Sequence, residues 1–342
     1  MTTALAVAAP AALATSMRAV VRSRYGQPDV LSLGDQARPV PGAGEVLVRV
    51  RAAGVTVGDH HMVTGTPYLI RLTPFGGLPG PKHAVPGALL AGVVETVGAG
   101  VSDLSPGDEV FGQAQHGAWA EYVVVSAQHV ARKPANLSFE EAAVVPWGAT
   151  ALQGLRDVAR LQAGQRVLVN GAAGSVGLWA VQVAKALGAH VTAVCSTRSV
   201  ELVRSLGADE VIDYTKEDFT RRDARYHVMM DLVGNHALAT CRRLLEPKAV
   251  YLPCFGGGGD FAGPMVRILG GVLRTLFSGQ KVKTFVMAPN RADLEWLKGL
   301  VEAGKAKPVL ERTYRLDEVV AALDHVGQGH ARGQSVVQIS AR

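Results

Sequence analysis

Cysteine is scarce in this chain: three residues in 342, at positions 195, 241 and 254. Three thiols so far apart form no C-x-x-C pair and no disulfide framework, which fits a reducing cytosol. Long apolar runs are missing too. The longest candidate, Phe261 to Phe277, is broken by Gly270-Gly271 and is too short and interrupted to span a bilayer. It suits a helical hairpin or a cover over a substrate pocket. The Ala-rich start from Thr2 to Ser16 has no basic n-region, so it makes a poor signal peptide. Residues 1–16 are expected to be a disordered extension. Concentrated positive charge is absent as well. The formal charge is +6, but Lys and Arg are dispersed, with only short clusters such as Arg221-Arg222 and Arg242-Arg243. That argues against a nucleic-acid stripe and for a solvated basic surface that attracts phosphates. The chain shows no internal repeats.

What is present points to a globular protein of two domains. Hydrophobic residues make up 48% of a chain that is long for a single core. From Met17 the pattern is β-rich. Strands are expected at Arg18–Val21, Glu45–Ala52, Gly92–Val97 and Gly117–Val125, separated by Gly/Pro turns. Gly54 to His61 reads as a loop or helix start, and Gly65 to Pro86 as a long irregular loop of the kind that often carries function. Ser138 with Glu141 forms a helix-start signature. Ala142 to Leu161 is helical in composition, interrupted by Pro146. Strands and helices then alternate: helix Ser199–Leu206, strands Glu210–Asp213 and Tyr226–Leu232, helix His236–Leu245, strand Val250–Cys254. Alternation of this kind means an α/β, doubly wound parallel sheet. Two amphipathic helices, Asp293–Ala303 and Leu316–Gly327, and a strand at Ser335–Ser340 close the chain.

One stretch organises the rest. Val167-Leu-Val169 is a short apolar strand, Gly171, Gly174 and Gly177 follow at three-residue spacing, Leu178–Leu187 is helical, and Val191–Val194 begins the next strand. Small residues at such a turn let the backbone approach a pyrophosphate, and the free N–H groups of the helix start attract it. Ala172 stands at the first glycine of the usual G-x-G-x-x-G pattern. The strand–turn–helix–strand context is what makes the motif specific for a dinucleotide. An NAD site usually carries an acid about twenty residues beyond the turn, for the ribose 2′-hydroxyl. This chain has Cys195-Ser-Thr-Arg-Ser there. Ser196 can donate to a phosphate and Arg198 can pair with one, which points to NADP(H).

Taken together, several segments resemble the medium-chain dehydrogenase/reductases, in their zinc-independent quinone-oxidoreductase-like branch. They are Tyr25-Gly-Gln-Pro-Asp-Val-Leu, Pro41-Gly-Ala-Gly-Glu-Val-Leu-Val, Ala91-Gly-Val-Val-Glu-Thr-Val-Gly, Leu104-Ser-Pro-Gly-Asp-Glu-Val-Phe-Gly, Gly171-Ala-Ala-Gly-Ser-Val-Gly, Leu206-Gly-Ala-Asp-Glu-Val-Ile-Asp-Tyr and Gly329-His-Ala-Arg-Gly. The resemblance implies a Rossmann domain (residues 138–289) inserted in a GroES-like, β-rich catalytic domain (17–137 and 290–342). It implies that Asn170, Gly171, Ala172, Ala173, Gly174, Ser175, Val176 and Gly177 hold the pyrophosphate. Ser196, Arg198 and Tyr214 would surround the 2′-phosphate, Val233 and Gly234 the ribose, and Phe255 and Gly256 the nicotinamide side. Zinc-dependent relatives carry Cys where this chain has Thr56 and His where it has Ala88, and the structural-zinc lobe is missing, so no metal is expected. The adjacent pair His60 and His61 reads as pocket or surface residues. The segment Gly87-Ala-Leu-Leu-Ala-Gly lacks the usual acid near Leu89, and Thr56-Val57 replaces an Asn-Pro, which opens the substrate side to variation.

Without zinc, a substrate oxygen must be polarised by hydrogen bonds. The resemblance implies that Thr56, His60 and Tyr68, in the segment that reaches the cleft in family members, are the candidate catalytic residues, with Tyr68, His60 or water as proton donor. The expected activity is NADPH-dependent hydride transfer to a quinone, enone or other activated double bond. An alcohol dehydrogenase or carbonyl reductase on the same scaffold, and a non-catalytic nucleotide-binding protein, are the alternatives. A cytoplasmic homodimer acting on a small molecule is expected, the edge strand near Val250–Cys254 supplying a surface for pairing.

Overall fold

Alternating apolar residues after Ser16 build a sheet, and the computed structural model describes it within residues 15–73, 75–254, 270, 279–329 and 332–340. Strand β1 (Ser16–Val21) pairs antiparallel with β2 (Ser32–Ala37). Ser16 already pairs with Ala37, so the expected extension stops short of it; residues 1–14 lie outside the described ones. The long strand β3 (Glu45–Val55) runs into helix α1 (Val57–Thr64), the helix start expected between Gly54 and His61. Residues 65–86 hold a short turn of 3₁₀ helix at Tyr68–Leu72. Strands β4 (Leu89–Val97), β5 (Glu109–Gln113), β6 (Tyr122–Ser126) and β7 (Val130–Arg132) follow.

The expected strand Gly117–Val125 is shorter at its start. Gly117 has φ +91°, and Trp119 is drawn inward, its amide donating to the Pro86 carbonyl (3.1 Å) and its indole N–H to that of Gly54 (3.2 Å). Those bonds fasten the 113–120 turn over β3, leaving the ladder to begin at Tyr122.

The segment linking the two sheets is helical but broken, as Pro146 requires. Helix α2 (Phe139–Val144) opens on a capping box in which Ser138 and Glu141 exchange hydrogen bonds. A 3₁₀ turn at Val145–Trp147 contains Pro146; α3 (Gly148–Leu152) and a π turn (Gln153–Val158) complete it.

The second sheet is parallel throughout. It comprises β8 (Arg166–Asn170), β9 (His190–Cys195), β10 (Glu210–Asp213), β11 (Tyr226–Asp231), β12 (Leu245–Pro253) and β13 (Lys281–Val282), in the order β10-β9-β8-β11-β12-β13. Helices α4 (Ser175–Ala186), α5 (Val200–Ser205) and α6 (Leu238–Arg242) make the connections. The reversal of strand order beside β8 is the doubly wound pattern, with ligand space at the carboxyl ends of the strands. Val167, Leu168 and Val169 are fully buried because helices or strands cover both faces. Two expectations change. The helix expected at His236–Leu245 is one short turn and a half, and Leu245 begins β12. That strand is not an edge: β11 and β13 pair with it on either side. Of the pairing surface expected near Val250–Cys254, β13 already takes Val250 and Tyr251.

The chain then returns to the first sheet. Helix α7 (Arg291–Glu302) leads to β14 (Leu310–Arg315), α8 (Val319–Gly327) and β15 (Gln334–Gln338). The first sheet runs β14-β15-β3-β4-β5-β7, with β6 also on β3. Gln334 donates through Nε2 to the Val144 carbonyl (3.1 Å), tying the last strand to the linking segment.

Candidate functional site

Where β8 ends, the chain makes the turn that the glycines foretell. Gly171 has φ +88°, a conformation that a side chain resists. A Cβ on Gly177 would collide with the Gly171 carbonyl and lie 2.7 Å from Ala172 Cα, so only glycine lets α4 sit this close to the turn. Gly174 is the extended residue before α4, and no side chain caps that helix. The first N–H groups of α4, at Ser175, Val176 and Gly177, thus face outward, where a phosphate would meet them and the helix dipole. Ala173 lies between, half-buried. This uncapped start beside small residues fits the pyrophosphate of a dinucleotide.

Asn170 turns inward instead. Its Nδ2 donates to Asp231 Oδ1 (2.8 Å) and to Asn235 Oδ1 (3.0 Å). Asp231, fully buried at the end of β11, also accepts the Val233 and Gly234 amides (3.2 and 2.9 Å) and the Tyr251 hydroxyl (2.6 Å). The network fixes the Val233–Gly234 turn, where Gly234 has φ +69° and Val233 packs on Gly171. Asn170 is thus a residue that shapes the turn. Phe255 and Gly256 lie outside the described residues. Cys254 just before them is pushed up to about 12 by burial and by the Asp231 charge, which keeps its thiol protonated.

The loop after β9 holds the proposed phosphate readers. Ser196 precedes a 3₁₀ turn at Thr197–Ser199, and Arg198 is exposed on it. Parallel pairing puts Asp213 of β10 opposite Cys195 and brings Tyr214 alongside, its amide bonded to the Cys195 carbonyl (3.0 Å). Tyr214 is exposed. Asp213 is an acid that the linear reading of residues 194–200 does not reach. It accepts Thr197 Oγ1 (2.6 Å), Thr215 Oγ1 (2.8 Å) and the Thr215 amide (3.0 Å), with Lys216 Nζ at 3.4 Å. The Thr197 hydroxyl foremost, then those of Thr215, hold its carboxyl down to about 2. Its charge is spent on building the loop. A second cation arrives from far along the chain: Arg332 Nη2 donates to the Arg198 carbonyl (2.6 Å). Arg332 stands in the segment Gly329-His-Ala-Arg-Gly, but no local signal ties it to Arg198.

The three candidate catalytic residues separate. Thr56 caps α1: its Oγ1 accepts the Asp59 amide (3.2 Å) and donates to Asp59 Oδ2 (2.7 Å), which also accepts the Thr56 amide (2.8 Å). Trp147 of the linking segment lies near Gly58 in this first turn, and neighbouring Val57 is 48% exposed. Thr56 therefore sits where α1 meets the segment between the two sheets. Burial pushes the Asp59 carboxyl up to about 6, against the hydrogen bonds from Thr56 and the charge of Arg22. His60 points elsewhere. Its ring packs on α8, where a Cβ on Gly327 would lie 2.6 Å from His60 Cδ2. Burial, then the neighbouring His61, lowers its pKa. His61 Nδ1 lies 2.9 Å from the Thr66 carbonyl oxygen, so this ring is a loop fastener. Tyr68 is half exposed in the 65–86 loop, and Arg71 lies over its ring at 4.7 Å and over that of Tyr25 at 4.5 Å. Asp59, Asp213, Asp231 and Arg332 are the site residues that the sequence reading missed. Only Asp59 left a local trace, as the fourth residue of Thr56-x-x-Asp59. Among the described residues no group of three or more His, Cys, Asp or Glu could hold a metal ion.

Comparison with known proteins agrees with this architecture. The alcohol dehydrogenase GroES-like domain model matches residues 42–135, and the zinc-binding dehydrogenase model matches residues 206–337. The mouse mitochondrial NAD(P)H oxidoreductase RTN4IP1 is 34% identical, over 97% of this chain and 92% of its own length. The chloroplastic NADPH-dependent alkenal/one oxidoreductase of Arabidopsis thaliana is also 34% identical, over 98% of this chain and 82% of its own. Among solved structures, the quinone oxidoreductase of Coxiella burnetii superposes with a TM-score of 0.82 at 28% identity, covering 95% of this chain and all of that one. With its GroES-like first sheet, its parallel nucleotide-type second sheet and these relatives, the chain is an oxidoreductase that uses a nicotinamide cofactor and belongs to the quinone-oxidoreductase-like branch of the medium-chain dehydrogenase/reductase superfamily.

Proposed function

We propose that the protein is an NADPH-dependent, zinc-independent oxidoreductase that delivers hydride to a quinone, an enone or another activated double bond. The observation that carries the NADPH part is the loop 196–198. It presents Ser196 and Arg198 beside Tyr214, with Arg332 fastened to its backbone and the acid that β10 brings alongside, Asp213, turned into hydrogen bonds of the fold. A 2′-phosphate bears close to two negative charges and gains from two guanidiniums. The nicotinamide supplies the hydride when bound; the protein binds, orients and polarises. Residues 171–177 hold the pyrophosphate on the turn that Asn170 shapes, and Val233 and Gly234 the ribose. Phe255 and Gly256 remain assigned to the nicotinamide side. Residues 17–137 with 290–342 form the catalytic unit, and 138–289 the nucleotide-binding unit.

On the substrate side, Thr56 is the group that meets the substrate oxygen, and Tyr68 stands half exposed in the 65–86 loop. His60, turned against α8, is better read as packing than as a donor. Zinc does not fit the site. Thr56 is committed to Asp59, Ala88 offers no ligand, and a catalytic zinc needs three protein donors. The names of the relatives favour reduction of alkenals, enones or quinones over alcohol oxidation. Three free cysteines suit a reducing compartment such as the cytoplasm, and no helix among the described residues is long and apolar enough to cross a membrane. A homodimer remains the expected assembly.

The test joins binding and turnover. NADPH should bind more tightly than NADH, and Arg198→Ala should weaken NADPH about ten- to a hundredfold, the worth of one charge-assisted hydrogen bond. NADH affinity should change little. Chelator-treated enzyme should oxidise NADPH with a quinone or enone faster than with an aldehyde. Preference for NADH in the parent, or equal weakening of both nucleotides, would overturn the cofactor assignment. Activity lost with a stoichiometric zinc would overturn the metal-free one.

A further inference from the structure

Thr56 and Asp59 form a closed pair whose bookkeeping has a chemical consequence. A threonine hydroxyl has one proton to donate and two lone pairs with which to accept. One acceptor position of Thr56 Oγ1 already takes the Asp59 amide at 3.2 Å. Asp59 Oδ2 lies 2.7 Å away and also accepts the Thr56 amide. With Asp59 ionised, the single hydroxyl proton is bound to Oδ2. The one remaining valence of Thr56 is a lone pair, able to accept and unable to donate. With Asp59 protonated on Oδ2, the carboxyl O–H donates to Oγ1 and fills the second acceptor position. The Thr56 proton then turns outward. A carbonyl oxygen gathering charge as hydride reaches the substrate needs a donor.

We propose that Asp59 is a positioning residue that sets the direction of the Thr56 hydrogen bond. Protonated, it makes Thr56 a donor to the substrate oxygen; ionised, it turns Thr56 into an acceptor and slows reduction. This rests on the reading of Thr56 as the group that meets that oxygen.

The surroundings poise the switch. Asp59 is more than nine-tenths buried. Arg22, following β1, faces it and favours the carboxylate; its guanidinium also donates to the Met62 carbonyl and lies near the Tyr25 ring. His60 and His61 follow on the same helix, and Asp324 of α8 faces His60 from the far side. Burial outweighs Arg22 and the capping bonds, which brings the carboxyl to about 6. The change of direction thus falls near neutral pH.

The test is the pH profile of NADPH-dependent reduction of a short-chain enone. In the parent, kcat should fall about tenfold per pH unit above the Asp59 transition, as for loss of a single required proton. Asp59→Asn keeps a side-chain acceptor for the Thr56 amide and does not titrate, so its kcat should be flat over the same range. An Asn variant that retains the parent's pH profile would overturn the switch while leaving Thr56 in place. If Thr56→Val keeps the parent's kcat, the underlying reading of Thr56 fails, and the switch with it. A measurement independent of turnover and of any variant is the carbon-13 carboxyl resonance of Asp59 in the parent. A shift that titrates between about pH 5 and about pH 8 is expected, and its absence would overturn the proposal.

Discussion

Replacing Asp59 by Asn should change how stability depends on pH, and the size of the change follows from burial. The carboxyl titrates near 3.8 when exposed and is pushed up to about 6 in the fold. Between those values the unfolded chain has released its proton while the folded chain keeps it. Stability therefore falls as pH rises through this window. The favourable contribution is fully present below about 3.8 and gone above about 6. The difference of about 2 pK units corresponds to about 3 kcal/mol. Asn carries no such dependence. The parent should lose about 3 kcal/mol relative to Asp59→Asn between about pH 4 and about pH 7. Unfolding entropy of about 2.1 cal/mol/K per residue over a chain of this length converts that to about 4 °C in melting midpoint. Any constant offset between the two proteins, such as a weaker cap, cancels when only the change with pH is compared. The assay is a set of parallel melts in buffers spanning that range. A difference in midpoint that stays constant from acid to neutral pH would refute the reasoning, since it would mean that Asp59 titrates alike in both states.

Two substitutions test the nucleotide turn. Gly177→Ala places a methyl group against the Gly171 carbonyl and Ala172; it should cost about 1–3 kcal/mol by overpacking and abolish NADPH binding measured by calorimetry. Unchanged affinity and melting would show that α4 can back away from the turn. Asp231→Ala removes the acceptor shared by Asn170, Val233, Gly234 and Tyr251. It should destabilise by roughly 1–3 kcal/mol for each buried donor left without a partner, and weaken NADPH and NADH alike, unlike Arg198→Ala. A variant that discriminates between the two nucleotides would place Asp231 in phosphate reading instead.

The parts of this protein legible in its sequence are those whose signal is local. Gly171, Gly174 and Gly177 announce the turn because backbone approach and positive φ admit few other residues there. Val167–Val169 announces a buried strand by being apolar without interruption, and the Ser138–Glu141 box is readable because both partners stand in one turn. What escaped depends on register or on distance along the chain. Asp213 reaches the 196–198 loop only because β10 pairs in parallel with β9. Arg332 meets Arg198 only because the last strand returns to the first sheet. Strand β13, two residues long, carries no period to detect, so β12 looked like an edge. His60 and Thr56 stand on one short helix, and which of them faces α8 is decided by packing against Gly327.

The placement of β15 has a consequence for how the protein is made. This strand lies between β14 and β3, parallel to the first and antiparallel to the second. Nearly the whole polypeptide separates β3 from the partner that covers its flank. On the ribosome, the parallel nucleotide-type sheet has all its strands available while the first sheet still shows an unpaired β3 flank, from Ala52 to Val55. Exposed strand flanks of this kind invite pairing with other nascent chains. The first sheet is thus begun early in synthesis and completed late, and in the interval between the two the β3 flank is open to such pairing.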